Sequence, residues 1–531
     1  LWLQLRLLQN EKVMKKYWPV LLLLCALLGL FDSGYLAYEH FQKTIPPCSA
    51  NSLLGDCGTV LRSSYSVVIG IPLALIGFVH YTILSFVLLT VILLHKRSFV
   101  FLAIVMSCIG FVSSLYFVYL QLFVIHALCV YCMVSAATST LLFLGILFYF
   151  AKERKQLTQF IIRILYVYVL KQILFLLPPE RVHTNMVHFG ERVGSLWLFK
   201  KLAHFLFVRE DKSLSQSIAG VYFKNPIGLA AGFDYEARLT QTLDGIGFGF
   251  QTVGTITNRP YKGNPSPMLG RLPKSKSLMV NKGFKNLGAT KTIDRLKGLV
   301  FPIPVGISIG KTNTPSVNTV KKSIDDIVRA FILFERSNGN HSYYELNISC
   351  PNLLTNVSFY PPQNLNRLLT AIDSLHITRP IFIKMPIEKS NKEVLSMLEV
   401  ISKHSVTGVI FGNLQKDRSH PALNQSEVSK FPKGNFSGKP TFDRSNELIS
   451  LTYKHYKKRL TIIGCGGVFN AHDAYEKITR GASLVQLITG MIFEGPQLVA
   501  NINTELPDLL KKNGFRTITE AIGSASKKAK K

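Results

Sequence analysis

Acidic residues are scarce in this chain: 31 Asp and Glu stand against 61 Lys and Arg, for a formal net charge of +30 over 531 residues. The shortage is uneven. Residues 1–150 hold four acids (Glu11, Asp32, Glu39, Asp56) and eight bases, so +26 of the charge belongs to residues 151–531. Such a surface suits nucleic acid or anionic lipid, or is simply that of a generally basic cytosolic domain. No long arginine-rich segment accompanies it, so nucleic acid is not an expected partner. The closing Ser-Ala-Ser-Lys-Lys-Ala-Lys-Lys reads as a solvated tail. Charge is nearly absent from four stretches, approximately 17–38, 67–94, 99–124 and 129–150. Each is long enough to cross a bilayer as a helix, which takes ~20 residues. No small-residue cleavage site follows the first, which excludes a secretory signal peptide. The chain opens on Leu1 rather than Met, so Met14 is the expected natural start and residues 1–16 a cytoplasmic leader. The length and the positive mean hydropathy of +0.24 together point to a membrane part and at least one further domain.

Lys12, Lys15 and Lys16 precede the first apolar stretch, Lys96 and Arg97 separate the second from the third, and Lys152, Arg154 and Lys155 follow the fourth. Basic residues stay on the cytoplasmic side of short loops, so all three clusters lie there. The loop 39–66 and the turn 123–128 then face outward, and residues 151–531 are cytoplasmic. Four of the eight cysteines fall on the outer side: Cys48 and Cys57 in the loop, Cys129 and Cys132 in a Cys-Val-Tyr-Cys. That spacing lets two thiols exchange a disulfide within one helical turn, and disulfides persist outside the cytoplasm. Four sulfurs could instead hold a metal; the pairing and the membrane setting favour exchange, and no metal is expected. Cys25 and Cys108 lie inside apolar stretches and read as small apolar residues.

The sequence Cys57-Gly-Thr-Val-Leu-Arg-Ser63-Ser-Tyr, then Gly70-Ile-Pro72, then Cys129-Val-Tyr-Cys132, resembles bacterial homologues of vitamin K epoxide reductase over residues 17–150. The resemblance implies a four-helix transmembrane bundle passing electrons from secreted thiols to membrane quinone. It makes Cys129 and Cys132 the quinone-facing pair, Cys48 and Cys57 the shuttle pair, and Ser63 a polar neighbour of the site. The family often carries a fused thioredoxin-like domain; none is present in this sequence, so the implied thiol donor is a separate extracytoplasmic thioredoxin-like protein.

Residues 151–215 mix basic and apolar positions. Arg163 and Lys171 interrupt the run Gln159–Leu177, and Pro178-Pro179 ends it. Two internal cations cost ~2.5–3.5 kcal/mol each at the centre of a spanning helix, so a helix lying in the interface is expected. A second helix starts at Pro179-Glu-Arg-Val-His183. The pair is either a doorway for a lipid-soluble substrate or a packing extension.

From residue 216 to 512, eight short apolar or β-branched runs alternate with helical stretches: 227–231, 248–253, 304–309, 343–348, 380–384, 407–411, 460–464 and 483–488. This pattern predicts an α/β (β/α)8 TIM barrel, whose active site lies at the strand C-termini. The predicted ends are polar or glycine: Ala230-Ala231-Gly232, Gly254-Thr255, Ser308, Asn347, Lys384, Asn413, Gly464-Cys-Gly466-Gly467 and Thr489-Gly490. Glycines at the last two ends permit close backbone approach to a phosphate.

Asn225-Pro-Ile-Gly-Leu-Ala-Ala-Gly-Phe-Asp234, Asn347-Ile-Ser-Cys-Pro-Asn352, Phe436-Ser-Gly-Lys-Pro440 and Ile463-Gly-Cys-Gly-Gly467 resemble dihydroorotate dehydrogenase, over about 160–515. Leu-Leu-Pro-Pro-Glu-Arg-Val-His183 is similar to the helical extension of its quinone-dependent, membrane-associated class. The resemblance implies FMN, oxidation of dihydroorotate to orotate, and a lipid-soluble quinone as electron acceptor. Cys350 takes the position of the catalytic base and Lys384 that of a flavin contact. Ala230, Ala231, Gly232, Thr255, Ser308, Asn347, Gly412, Gly438, Gly466, Gly467, Ile488 and Thr489 carry over as further flavin positions. Asn281, Gly283, Phe284, Asn347, Asn352 and Asn413 carry over as substrate positions. The chain departs from the pattern in several places. Cys350 stands where the membrane class has Ser; with a reference pKa of ~8.5 a thiol is the easier base near neutrality. Tyr235 replaces a substrate-binding Lys, Ser308 a flavin-binding Asn, and Gly412 and Leu414 two threonines. The Asn281 loop is one residue short. Together these departures either retune the substrate-carboxylate contact, with nearby Lys282 as one candidate, or signal a related substrate.

Two other functions fit a barrel of this kind: a different FMN reductase such as a tRNA dihydrouridine synthase, or a membrane-anchored barrel without catalysis. The Ser-Cys-Pro-Asn motif and the membrane extension weigh against the first. Cys350, Lys384 and the glycine-rich loop weigh against the second.

Overall fold

The computed structural model describes residues 2–44, 46–47, 56–94, 97–149 and 151–528. The chain divides into two compact units, Leu1–Thr158 and Gln159–Lys531. Cys48, Lys96 and residues 529–531 lie outside the described residues. The closing segment expected as a solvated tail is instead helical over Ser524–Lys528, and Ile518 and Ala521 just before it are buried against the barrel.

The first unit packs four long helices: α1 (Trp2–Gln42), α2 (Leu73–Leu94), α3 (Arg97–Leu120) and α4 (Val130–Tyr149). Their apolar residues run around the whole circumference. Leu22, Ala26, Tyr81, Leu84, Leu88, Ile104 and Ile146 meet inside, while Leu24, Phe31, Phe86, Leu93, Leu141 and Phe148 point outward and exposed. A helix apolar on every side belongs in a lipid medium. Glycines bring the helices together: a Cβ on Gly29 would stand 2.5 Å from the Tyr81 ring, and one on Gly145 would stand 2.7 Å from Leu22. Polar ties also cross between the helices. The Trp18 indole N–H donates to the Gly145 carbonyl at 3.1 Å, and the Tyr81 hydroxyl donates to the Ser135 carbonyl at 3.0 Å. The second apolar stretch differs from expectation at its start. Val67–Val68 and Ile71–Pro72 pair as a short hairpin, because Ile69 and Gly70 turn the chain at positive φ before the helix begins at Leu73.

In the second unit, eight parallel strands close into a barrel in sequence order. They are β1 (Ile227–Leu229), β2 (Phe250–Ile256), β3 (Val305–Ile309), β4 (Tyr343–Asn347), β5 (Ile381–Met385), β6 (Gly408–Phe411), β7 (Thr461–Cys465) and β8 (Leu484–Leu487). All eight predicted strands are there. Alternate residues fill the barrel, and its polar centre is made by Glu345, whose carboxylate accepts from Thr252 at 2.5 Å and Gln486 at 2.6 Å. A three-stranded sheet of Leu269–Leu272, Ser277–Val280 and Asn435–Phe436 is paired alongside.

Helices α5 (Pro179–Ser195) and α6 (Trp197–Phe207) precede the barrel. Pro179 opens α5 at a position whose N–H would be unpaired in any helix. Glu180 accepts from the Met268 and Leu269 amides, at 2.7 and 3.2 Å, which ties α5 to the small sheet. The outer face of α6 is apolar, with Trp197 and Leu198 about two-thirds exposed. Among the described residues, five helices are long and apolar enough to cross a membrane; the fifth is Leu157–Leu176. Both cations within it are occupied. Arg163 pairs with Glu494 at 2.7 Å, and Lys171 donates to the Phe493 carbonyl at 3.2 Å.

Candidate active sites

A cavity of the second unit opens at the C-terminal ends of the barrel strands, with about 1200 Å³ of empty space including its mouth. Ala230, Ala231, Gly232, Thr255, Asn347, Cys350, Asn352, Lys384, Gly412, Asn413, Gly438, Gly466, Gly467, Ile488 and Thr489 line it, as do Gly283 and Phe284. Sequence-distant positions thus converge because every strand ends at the same rim. Two predicted positions stand behind the wall. Ser308 is buried and bonded to the Thr255 hydroxyl at 2.9 Å. The Asn281 side-chain oxygen accepts from Asn264 at 3.0 Å.

The floor is a hydrogen-bonded mesh. Asn347 donates to Thr255 at 2.9 Å, Asn413 to the Ser349 carbonyl at 2.7 Å, and Asn435 to Asn352 at 2.7 Å. One end of the cavity is walled by backbone. Gly438, Gly466 and Gly467 hold φ of +80°, +90° and +73°, and a Cβ on Gly466 would stand 2.3 Å from the Thr441 hydroxyl. Only glycine meets both demands there.

Electrostatics corrects the expectation for Cys350. Desolvation pushes its thiol up to about 11, above the ordinary range, although backbone at Asn352 and the ammonium groups of Lys384, Lys416 and Lys311 pull the other way. Near neutrality it is a protonated thiol. Across the cavity three segments stack. Tyr235 lies parallel to His183 with ring centroids 5.3 Å apart, and the Lys282 ammonium sits 4.2 Å from the Tyr235 centroid. Burial, helped by Lys285, draws Lys282 down to about 7. Burial and Lys282 also hold His183 well below its usual range, so it is neutral; one ring nitrogen lies 2.9 Å from the Phe233 carbonyl.

The first unit has its own cavity, about 1300 Å³ including its mouth, lined among others by Cys132, Ser63, Asp32, His80 and Gln121. Cys129 is buried in a cluster with Cys57 and Val60, against which Cys132 packs. Cys57 is disulfide-bonded; its expected shuttle partner, Cys48, lies outside the described residues. The Cys129 amide donates to the Gln121 side chain at 2.9 Å, and Asp56 caps the short helix Cys57–Arg62 through the Thr59 amide at 2.9 Å. Cys57 and the Cys129–Cys132 pair therefore stand in one cluster. Asp32, His80 and Gln121 were not singled out from sequence. An acid and a histidine inside apolar runs were the available signal.

Fold and sites together define a (β/α)8 oxidoreductase barrel joined to a membrane thiol oxidoreductase bundle. Residues 213–510 match the family Dihydroorotate dehydrogenase, and the chain belongs to that family. Residues 20–147 match the Vitamin K epoxide reductase family. The chain is 34% identical to the dihydroorotate dehydrogenase (quinone) of Acidithiobacillus ferrooxidans over 374 residues, which cover 67% of this chain and 99% of that one. It is 32% identical to the enzyme of the same description from a Mycobacterium species, over 67% and 98% of the two chains. A crystal structure of DHODH from Eimeria tenella in complex with ferulenol matches 65% of this chain and 95% of its own, with 28% identity and a TM-score of 0.57.

Proposed function

We propose that the second unit oxidises dihydroorotate to orotate with FMN and passes the electrons to membrane quinone. The first unit oxidises a separate extracytoplasmic thioredoxin-like protein and delivers those electrons to quinone as well. One observation carries the barrel reading: Cys350 and Lys384 share a cavity whose end is walled by glycines that admit no side chain. Those residues fit FMN. Gly438, Gly466, Gly467 and Thr489 would take its phosphate, and Lys384, Thr255 and Asn347 its ring.

The reaction takes a proton from C5 of dihydroorotate and a hydride from C6. FMN, when bound, would supply the acceptor for that hydride and a two-electron carrier that quinone can oxidise. Cys350 receives the C5 proton on sulfur, having first lost its own, and the nearby ammonium groups favour its thiolate. Lys384 presents a cation where negative charge develops. The amides of Asn347, Asn352 and Asn413 match the N–H and C=O edges of the pyrimidine. Asn281 holds the loop carrying Gly283 and Phe284. Lys282, pinned over Tyr235, takes the substrate carboxylate in place of the lysine that the family carries at position 235. Helices α5 and α6 offer quinone a lipid-side approach, supported by the exposed face of α6 and by His183, which α5 sends to the cavity wall.

The basic clusters favour a multi-pass protein of the inner (cytoplasmic) membrane, with the barrel on the cytoplasmic face and the cysteine loop outside. In the first unit, Cys48–Cys57 exchanges with the partner's thiols and Cys129–Cys132 then reoxidises that pair. The test uses the full chain purified in detergent and loaded with FMN. Anaerobic dihydroorotate bleaches the oxidised flavin absorbance, and a soluble quinone restores it. A preparation that takes up no FMN, or stays yellow with dihydroorotate, refutes the reading.

A further inference from the structure

An acid near the middle of a membrane helix costs roughly 2.5–3.5 kcal/mol, so its presence needs a reason. Asp32 is such a residue in α1, ten residues inside the hydrophobic stretch that closes at Gln42. One of its carboxyl oxygens is buried and has no hydrogen-bond partner among the described residues. From the facing helix α2, His80 reaches the same cavity, and the structure makes room for it. A Cβ on Gly110 of α3 would stand 2.8 Å from the imidazole Nε2, and the ring packs edge-on against Tyr81 with centroids 5.4 Å apart. Asp32, His80 and Cys132 all line this one cavity.

The chemistry of the cavity supplies the reason. When Cys129 and Cys132 reduce a quinone, two S–H bonds break and one S–S bond forms. Two electrons pass from sulfur to the quinone ring, and its two oxygens gain two O–H bonds. The protons must travel from sulfur to oxygen inside an apolar bundle, where a free proton has no solvent to carry it. The serine hydroxyls there are poor carriers, and Ser114 and Ser139 are bonded to each other at 2.7 Å. His40 also lines the cavity, but eight residues along α1 from Asp32, about 12 Å by helical rise and toward the outer end.

We propose that Asp32 carries the Cys132 thiol proton to a quinone oxygen, with His80 as the second proton station. The carboxyl gains a proton from sulfur and loses it to oxygen, so it ends as it began. This rests on the reading that the cavity of the first unit receives quinone.

The experiment uses the full chain in detergent with dithiothreitol as thiol donor and a short-chain soluble quinone, without dihydroorotate. Asp32→Asn is expected to lower kcat about 10²- to 10³-fold, within the usual range for general acid–base catalysis, and to leave the quinone KM within about threefold. Asp32→Glu restores kcat to within about tenfold, and His80→Gln costs about tenfold. Dihydroorotate oxidation by the same preparations checks the barrel, and recovery in Asp32→Glu with an unchanged quinone KM in Asp32→Asn checks that the bundle is folded. An Asp32→Asn protein that turns over within about threefold of the parent overturns the proton role. So does a loss that Asp32→Glu fails to restore. A parent chain that reduces no quinone from dithiothreitol removes the quinone reading of the cavity, and the proposal with it.

Discussion

Replacing Lys282 by Met tests substrate recognition most sharply, because two groups of opposite requirement then separate. Dihydroorotate binds as a carboxylate, so Lys282 has to be charged; drawn down to about 7 by burial, it loses that charge as pH rises past 7. As the proposed base, Cys350 has to have lost its proton, and with its thiol pushed up to about 11 it gains activity as pH rises toward 11. In kcat/KM, which follows the free enzyme, one factor falls about tenfold per pH unit above 7 while the other rises tenfold. Between about pH 7 and 11 they cancel, and the parent profile is flat. Lys282→Met removes the falling factor, so kcat/KM climbs about tenfold per unit from pH 7 to 10. Its level at pH 7 drops by the loss of a charge-assisted contact of about 1.5–3 kcal/mol, roughly 10- to 150-fold, chiefly in KM. Initial rates at low dihydroorotate with a soluble quinone, taken from pH 6.5 to 10, measure both. A parent profile that peaks sharply near 7–8, or a Lys282→Met profile that stays flat, refutes this assignment.

Cys350→Ala is expected to keep the bound-flavin spectrum and slow anaerobic bleaching by dihydroorotate more than about 10²-fold, read by stopped flow. Gly466→Val drives a side chain into Thr441 from a positive φ; the purified chain should carry little FMN, by absorbance at fixed protein concentration. Cys132→Ala should abolish quinone reduction by dithiothreitol and disulfide formation in a secreted reporter protein, while dihydroorotate still bleaches the flavin. Unchanged reporter oxidation removes the thiol relay.

Much of this was legible along the chain. The barrel strands showed as apolar runs at regular spacing, and their ends as glycines, amides and Lys384, because strand ends share one rim whatever the details of packing. The place of Cys350 at the cavity was legible from its flanks. Its acidity was not: desolvation depends on what covers the thiol, and that is decided by loops distant in sequence. Ser308 and Asn281 show a related limit. Position at a strand end or in a rim loop is readable, but whether a side chain meets the cavity or stands behind it follows from local register and turn geometry.

The local pattern of hydrophobicity and charge specifies elements, since each helix or strand must satisfy its own backbone and bury its own apolar face. That was enough to read a membrane bundle, a barrel and their cysteines. The stack of His183, Tyr235 and Lys282, and the cavity that Asp32, His80 and Cys132 line together, come from residues on separate elements with no spacing rule between them. Only packing in three dimensions gathers such groups, and only there do burial and neighbouring charge set the protonation of Cys350 and Lys282.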